Sequence, residues 1–432
     1  MPTQETAIVA ASNTHKDPRS EAYVIVGNGF DIECGFRTKY EHFLNFVEET
    51  CESELFKFAL MSLNMRSAEH SKLLEDVVLS EREDDYKLEL HTSMRLIGFF
   101  GYASILNNFW YRHFQAYKAG EHWVDFESEL SRLIKQVEDS MRRGNSKPLS
   151  LDDYIPVEAV RDLNELTDAL GLTNAQVILG TTGTGNAGHL NVRYRSLRDR
   201  LIRDLYAMTR AFEGYLLYKV IPNEVVSTAA TDELVHLLEN RDCVRVLCFN
   251  YTDTFERLLR DKGINAEFCY VHGKVGHDEQ YDRMVLGIDE HLPDEDIERF
   301  AGYAPFRKYH QRIYKQTDCA YKDWLDEITT RPGTPSNLFV FGHSLAPSDK
   351  EILRPFITAQ GMRTVVFYHD EGMHADLVTN LAAILGIDYV IRSIGGQKHT
   401  LEFRQQLKRE QGQGVTTPGD QTPSSAVSDT SA

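Results

Sequence analysis

The sequence predicts an α/β fold in which a doubly wound, mostly parallel sheet carries a large inserted helical subdomain. The first observation is an apolar run over residues 22–26 that ends in Gly27 and Gly29, which is typical of a buried parallel strand followed by a sharp turn. The second is a block of helical periodicity over about residues 51–240. The third is the return of alternating strand and helix patterns after residue 240.

Composition limits the class of protein. The 432 residues are 42% hydrophobic and include 20 Tyr and 22 Phe, so the chain can bury a sizeable core. The formal net charge of -18 argues against a general nucleic-acid coat protein, because long-range attraction to phosphate is missing. The six cysteines are scattered without a C-x-x-C pair, which predicts a reduced compartment. No signal-peptide core and no apolar run of about 18 residues is present, so we expect a soluble cytoplasmic protein with no membrane contact.

The same patterns set the expected boundaries. Residues 1–20 are polar and aperiodic and predict a disordered arm. The tail over residues 411–432 is rich in Gly, Thr, Ser, Pro and Gln and is also expected to be disordered. Between them we expect a nucleotide-binding α/β domain made of residues 21–50 and 241–410, interrupted by a helical subdomain over residues 51–240.

Helices are predicted from apolar spacing and from end signals. Thr38 and Glu41 form a capping-box pattern that predicts the start of the first long helix. The apolar stretch from residue 94 to residue 114 predicts one buried helix. Further helices are predicted over about residues 126–137, 192–220, 254–259, 294–330 and 352–356.

Strands of the C-terminal half are predicted from short β-branched and aromatic runs. They cover residues 244–249, 268–271, 284–288, 338–341, 364–368 and 388–391. A glycine-rich segment over residues 180–188 resembles a phosphate-binding loop in composition. No Gly-Lys-Ser/Thr follows it, so we predict a flexible loop there.

Polar or glycine-containing motifs directly follow four predicted strands. These are Gly27-Asn28-Gly29-Phe30-Asp31, Asn250-Tyr251-Thr252-Asp253, His272-Gly273 and Gly342-His343-Ser344. In an open parallel sheet, ligands bind outside the carboxyl ends of the strands. If the four strands are parallel, the motifs meet at one edge, and this convergence predicts the functional site.

Each candidate side chain also has a structural alternative. Asn250 would serve equally well as a cap for the helix that follows it, and Ser344 as a cap for the helix that begins after it. Asp31 would cap the glycine turn. His272 would satisfy hydrogen bonds in the turn before a glycine.

In this order the motifs resemble those of the bacterial phage abortive-infection AbiH family. Members of that family look like a strand with G-N-G-F-D, then W-x-D-x-E, F-N-Y-T, H-G and a G-H-S-L-type motif. The matching positions here are residues 27–31, Trp123 with Asp125 and Glu127, residues 249–252, His272 with Gly273, and residues 342–345. The resemblance spans about residues 22–390 and implies a role in antiphage defence.

A more distant resemblance is to sirtuin-like NAD-binding domains, which implies a Rossmann-type sheet. There a G-x-G turn is followed by a glycine six residues on, and Gly27, Gly29 and Gly35 fit that spacing, although Ile32 stands where the usual dinucleotide fingerprint has glycine. The asparagine that ends a strand resembles Asn250, and the glutamate six residues later matches Glu256. The cysteine pairs of the sirtuin zinc module are absent, so we expect neither protein deacylation nor a bound metal. Two further departures are Arg37 and Tyr40, which replace the usual proline and arginine.

Together the resemblances imply an antiphage protein that takes NAD as ligand or substrate and cleaves the bond between nicotinamide and ribose. The cofactor would be held by Gly27, Asn28, Gly29, Phe30, Gly35, Gly342, His343 and Ser344. Asn250 would orient the ribose or water, His272 would act as the base, and Asp31 would contact the ribose or the cationic ring. The helical subdomain would cover the site or sense a phage-derived trigger. A homo-oligomer or a partner from a defence system fits the same role.

Two other functions remain open from the sequence. A non-catalytic nucleotide-sensing module would bind its nucleotide ligand without turnover and signal through assembly or a partner. A metal-dependent nuclease would use Asp31, Asp125 and Glu127 around a metal. The acidic net charge disfavours nucleic acid as a partner.

Overall fold

The chain folds around one parallel sheet. The computed structural model describes residues 21–64, 84–118, 126–142, 149–156, 159, 163–166, 189–276, 283–288, 301–395 and 399–407. Its strands are β1 (Glu21–Val26), β2 (Tyr154–Pro156), β3 (His189–Arg193), β4 (Cys243–Cys248), β5 (Glu267–Tyr270), β6 (Ser336–Phe341), β7 (Met362–Tyr368) and β8 (Leu401–Gln405). The six-stranded sheet has the order β5-β4-β1-β6-β7-β8 with every pair parallel, and β2 and β3 form a separate antiparallel pair.

The strand order identifies the fold class. When only the strands of the main sheet are counted along the chain, the order is 3-2-1-4-5-6, which is that of the doubly wound Rossmann fold. The central strand β1 is buried from Ala22 to Val26, as a strand covered by helices on both faces should be. The predicted α/β class with a parallel sheet is confirmed.

Helices cover both faces of this sheet. Those that contribute to the apolar cluster on the first face are α1 (Asn28–Glu33), α2 (Tyr40–Glu52), α3 (Glu54–Asn64), α4 (Asp84–Phe100), α5 (Tyr102–Ile105), α6 (Phe109–Lys118), α7 (Phe126–Arg142), α8 (Tyr194–Tyr215), α9 (Ala229–Leu238) and α10 (Thr254–Asp261). Those on the second face are α12 (Ala320–Thr330), α13 (Lys350–Ile357), α14 (Glu371–Leu385) and α15 (Ile387–Gly395). The short helix α11 (Lys308–Lys315) buries polar side chains, and single 3₁₀ or π turns cover Asn164–Leu166, Leu216–Val220, Ala301–Phe306 and Pro347–Asp349.

Alternation along the strands divides the core. Val24 and Val26 of β1 point into the first apolar cluster, whereas Tyr23 and Ile25 point into the second. The first cluster runs without a break from the sheet into the helical block, where the indole Nε1 of Trp110 donates to the carbonyl oxygen of Leu201 at 2.8 Å. The described part of the helical block therefore shares its core with the sheet.

The predicted capping box at the start of α2 is wrong. Helix α2 begins at Tyr40 with Lys39 as its N-cap, so Thr38 lies one residue too early to cap it. The hydroxyl of Thr38 is buried and has no hydrogen-bond partner among the described residues. A capping box does occur in the structure, at Thr228 and Thr231 before α9.

The single helix predicted over residues 94–114 is also wrong. Gly101, with φ of 69°, ends α4, and the chain continues as the separate helices α5 and α6. Apolar periodicity persists across these breaks because all three segments face the same core. The glycine was the one local signal of the break.

Two predicted strands differ from the structure as well. Residues 388–391 lie in α15, where Val390 is buried and Ile391 is 62% exposed, so only one side of this apolar run is covered. The last strand is β8, which pairs with β7. Residues 284–288 are not a strand of the sheet; among the described residues Ile288 makes an isolated bridge with Arg307.

Among the described residues, no single helix combines the length and apolar character needed to cross a membrane; the bent pair α14 and α15 meets the criterion by length and composition only when taken together. The predicted arm, the predicted tail, residues 180–188, Trp123 and Asp125 lie outside the described residues.

Candidate functional site

The four strands that precede the predicted motifs end at the same level. Val26 of β1 is in register with Cys248 of β4 and with Phe341 of β6, and Cys248 is in register with Tyr270 of β5. The four motifs consequently lie along one edge of the sheet. The reversal of strand order falls between β1 and β6, which is where doubly wound sheets leave a crevice for a ligand.

The glycines of the first motif pack against the backbone that follows β6. The N–H of Gly29 donates to the carbonyl oxygen of Gly342 at 2.8 Å. A Cβ on Gly29 would lie 2.7 Å from the Cα of Gly342, and a Cβ on Gly27 would lie 2.7 Å from the Cα of His343. Gly342 has φ of 67°, and its Cβ would lie 2.1 Å from the nitrogen of Phe30. Glycine is therefore required here by the contact between the two loops.

Asp31 is a buried carboxyl group at this edge. It is 1% exposed, and its Oδ2 accepts a hydrogen bond from the hydroxyl of Thr252 at 2.5 Å, while Thr254 donates to Thr252 at 3.0 Å. Burial raises the pKa of Asp31 to about 6, and the hydrogen bond from Thr252 opposes this shift. Its Oδ1 has no partner among the described residues, so one carboxylate oxygen is available to a donor.

The alternatives in which these residues only cap helices are wrong. The N-cap of α10 is Asp253, so Asn250 does not cap it. The N-cap position of α13 is Asp349 and not Ser344, and the N-cap of α1 is Gly27, so Asp31 lies inside that helix. Asn250 is 6% exposed, and its Oδ1 has no partner among the described residues.

His272 and His343 share one carboxylate. The Nε2 of His272 lies 3.4 Å from Oδ1 of Asp349, and the Nε2 of His343 lies 3.8 Å from Oδ2. All three side chains are buried. The ring of Phe249 meets both imidazoles edge to face, with centroids 5.2 Å from His272 and 4.3 Å from His343. Strand ends β4, β5 and β6 thus bring the pair together.

Hydrogen bonds assign the tautomers of the two histidines. The Nδ1 of His343 accepts from the backbone N–H of Leu345 at 2.9 Å, so the proton of the neutral ring is on Nε2, facing Asp349. In His272 the Nε2 also faces the carboxylate, which can only accept, so this nitrogen carries the proton. The Nδ1 of His272 is then a lone pair without a partner among the described residues. Only His272 of the two can accept a proton from a ligand.

Both imidazoles are held neutral. Burial lowers the pKa of His272 to about 4, the charge of Lys308 lowers it further, and the hydrogen bond to Asp349 opposes both. Burial likewise lowers the pKa of His343 to about 4 against the attraction of Asp349. At neutral pH the site therefore contains an uncharged proton acceptor beside a carboxylate.

Sequence analysis missed two members of the site, Lys308 and Asp349. The Nζ of Lys308 lies 2.9 Å from Oδ1 of Asp349 and 2.8 Å from Oε2 of Glu127, and Lys308 is 1% exposed. Asp349 lies four residues after the G-H-S-L motif and ends the 3₁₀ turn that starts at Pro347, and that proline was a usable signal. Lys308 carried no signal, because it stands among the similarly polar residues of α11.

The family model described as bacteriophage abortive infection AbiH matches residues 23–368. The chain belongs to the AbiH family. The matched region starts within β1 and ends with β7, so it contains every residue of the site described above. Membership supports a role in bacterial abortive infection. The chain has no significant match among curated proteins.

The remaining predicted ligand contacts of this AbiH chain differ in exposure. Asn28, Gly35 and Ser344 are exposed. The ring of Phe30 is buried and packs edge to face against Phe255, with centroids 4.7 Å apart. The last predicted contact, His343, has both ring nitrogens directed at protein groups, as described above.

The carboxylates of the nuclease alternative are engaged in the AbiH fold where they are described. Asp31 accepts from Thr252 and Glu127 pairs with Lys308. Asp125 lies outside the described residues.

Elsewhere in the described part of this AbiH chain, His113, Glu129 and Glu165 have potential ligand atoms within 4.8 Å of one another. The guanidinium of Arg132 pairs with both carboxylates, and the Nε2 of His113 lies 2.8 Å from Glu129. An ion-pair network accounts for this cluster.

Proposed function

We propose that this AbiH chain binds NAD at the edge of the sheet where the four motifs meet and cleaves the bond between nicotinamide and ribose. The observation that carries the proposal is the buried Nδ1 of His272, which has no partner among the described residues and is a neutral proton acceptor at the edge of a sheet with the dinucleotide-binding strand order. A lone pair of this kind, backed by a carboxylate on the other ring nitrogen, is the arrangement of a general base.

Two buried oxygens from other motifs at the same edge of the sheet suit a ribose. Oδ1 of Asp31 and Oδ1 of Asn250 both lack donors among the described residues, and sugar hydroxyl groups are donors that would satisfy them. Asp31, which is mostly ionised at neutral pH, would also stabilise positive charge on the ring or on the ribose as the bond breaks. A ligand with hydroxyl donors for these two oxygens would then bind more tightly than one without them.

The reaction needs one base and no strong acid. The electron pair of the breaking bond goes to the cationic nicotinamide nitrogen, which leaves as a neutral ring. Water adds to the ribose carbon, and its proton goes to Nδ1 of His272. The imidazolium that forms is stabilised by Asp349 through the Nε2 proton. The helical block supplies Glu127 to this cluster and is the part that would respond to a phage-derived trigger.

The test is nicotinamide release by the purified protein and by His272→Gln, with and without phage lysate. Glutamine keeps an N–H donor toward Asp349 and removes the proton acceptor. We expect release to fall by about 10²–10⁴-fold, the usual contribution of a general base, while NAD binding changes little. His236→Gln is the matched control, because His236 is exposed and contacts Glu239 on the surface. Asn250→Ala should weaken both binding and release.

Other outcomes separate the alternatives. Equal release by wild type and His272→Gln would overturn the assignment of the base. NAD binding without release in any condition would favour the nucleotide-sensing module. If NAD neither binds nor reacts, metal-dependent loss of tRNA or DNA becomes the next measurement.

A further inference from the structure

Lys308 is a buried ammonium held between two parts of the molecule. It starts α11, whereas Glu127 lies in the first turn of α7 in the helical block and Asp349 lies directly before α13. Its Nζ is within 3 Å of a carboxylate oxygen from each. Burial disfavours the charge, but Asp349 and Glu127 outweigh it and hold the pKa of Lys308 above its ordinary value. The side chain is therefore a fixed positive charge.

This charge competes with the histidines for Asp349. Oδ1 of Asp349 faces both the Nζ of Lys308, at 2.9 Å, and the Nε2 of His272, at 3.4 Å. Burial would raise the pKa of Asp349, but Lys308 and then His272 keep it below its usual range. The ammonium of Lys308 and the Nε2 of His272 face the same carboxylate oxygen, so a proton on His272 would be repelled by the charge of Lys308.

We propose that Lys308 is a positioning residue of the site: fixed between Glu127 and Asp349, its ammonium takes the charge of Asp349 and leaves His272 as a neutral proton acceptor. The inference rests on the proposed function for the role of His272 as base, but its electrostatic content is independent of turnover. The charge state of the site therefore depends on the position of α7, because Glu127 in α7 is one of the two carboxylates that pair with Lys308.

Within the part of the chain that the structure describes, few charged or titratable groups face His272. Asp349 approaches its Nε2 from the turn before α13, and His343 shares that carboxylate from the loop after β6. Lys308 and Arg312 face it from α11, and both positive charges lower its pKa. Phe249 contributes only a ring edge. Removing Lys308 would therefore remove the nearest opposing charge and leave Asp349 to attract a proton.

The experiment is a titration of the imidazoles by two-bond ¹H–¹⁵N NMR of protein labelled at histidine. His272 and His343 are assigned by loss of their signals in His272→Gln and His343→Asn. In wild type we expect His272 to remain neutral down to about pH 5. In Lys308→Met combined with Glu127→Gln, which leaves one buried carboxylate, we expect the pKa of His272 to rise to about 6.5, its ordinary value, or above. Lys308→Met alone would leave the carboxylates of Glu127 and Asp349 without their cation. The double variant avoids this, because Glu127→Gln removes one of the two charges.

Two controls isolate the cause. Lys308→Arg keeps the positive charge and should leave His272 neutral. Lys262→Met removes an exposed lysine that pairs with Asp232 and should change nothing. An unchanged His272 titration in the double variant would overturn the inference.

The pH profile of nicotinamide release separates this inference from the proposed function. If the pKa of His272 measured by NMR rises in the double variant and the acidic limb of the pH profile moves by the same amount, both this inference and the proposed function are supported. If the titration shifts but the profile of an active protein does not, Lys308 controls the charge of His272 and His272 is not the base.

Discussion

Two histidines at one aspartate differ in what they can do because of a single backbone N–H. Leu345 donates to Nδ1 of His343 and uses its only lone pair, whereas nothing described donates to Nδ1 of His272. Leu345 reaches this position with φ of 54°, an uncommon conformation for a non-glycine residue. The loop after β6 thus occupies Nδ1 of His343 and leaves His272, of these two rings, as the one whose Nδ1 has no partner among the described residues.

The neutral histidines should make stability depend on pH. The pKa of His343 is about 4 in the folded protein and about 6.5 in the unfolded chain, so between these values only the unfolded chain binds the proton. Stability from this residue is complete above pH 6.5 and is lost as pH falls toward 4. His343→Asn keeps an acceptor for Leu345 and does not titrate. As pH falls through this range, we expect the free energy of unfolding of His343→Asn to decrease less steeply than that of wild type. The two slopes should differ by about 1.4 kcal/mol per pH unit, measured by urea titrations at several pH values.

Asp31 acts in the opposite direction in the same range, since its pKa is raised to about 6 and its contribution falls as pH increases. It is present in both proteins, so the difference between them isolates His343. Parallel curves for wild type and His343→Asn would contradict the lowered pKa of this ring.

Much of the site could be predicted residue by residue, and the limit has a physical cause. Strand ends followed by polar motifs located Asp31, Asn250 and His272, because parallel strands bring their carboxyl ends together. Lys308 could not be found this way. A lysine is read as exposed unless its partners are known, and its partners lie about 180 residues before it and 40 after it along the chain.

At the scale of elements, the contact between the loops after β1 and β6 fixes how the two halves of the sheet meet. Gly342→Ala would place a Cβ 2.1 Å from the nitrogen of Phe30 in a backbone with positive φ. We expect a loss of more than about 3 kcal/mol, combining backbone strain with displacement of the first loop. Chemical denaturation measures it.

Gly263→Ala is the matched control. Gly263 has φ of 72° and nothing within 4 Å of its Cβ position, so only the backbone cost of about 1 kcal/mol is expected. Equal losses of unfolding free energy in Gly342→Ala and Gly263→Ala would mean that the contact between the loops after β1 and β6 does not contribute to stability.

Elements were predictable where one strong period ran uninterrupted, as in α7, and at most of the sheet strands. Boundaries failed where the deciding information was non-local. Thr38 and Glu41 have the residues of a capping box, but α2 begins one residue later than this pattern predicts, at Tyr40. The run over residues 388–391 suits a strand or a helix equally, and only the covered side of Val390 decides.

At the scale of the whole molecule, one apolar cluster joins the sheet to the helical block, so the two should unfold together. Trp110 is buried in that cluster and Trp324 lies in the cluster on the other face. In variants that retain only one of these tryptophans, we expect its fluorescence and far-UV circular dichroism to change at the same urea concentration. Fluorescence of Trp110 that changes before the circular dichroism would show a helical subdomain that unfolds alone.

The central position of β1 also means that its two partner strands are synthesised long after it. β1 is made first, yet Val26 pairs with Phe341, roughly 300 residues later, and with Cys248. At about 5–20 residues per second a ribosome needs on the order of 15–60 s to reach β6. For that time the edge of β1 that pairs with β6 stays open, and any nascent chain stalled before residue 336 lacks the strand that covers it. Such truncated chains should depend on chaperones and be cleared by proteases, so the completed site exists only on chains that have passed β6.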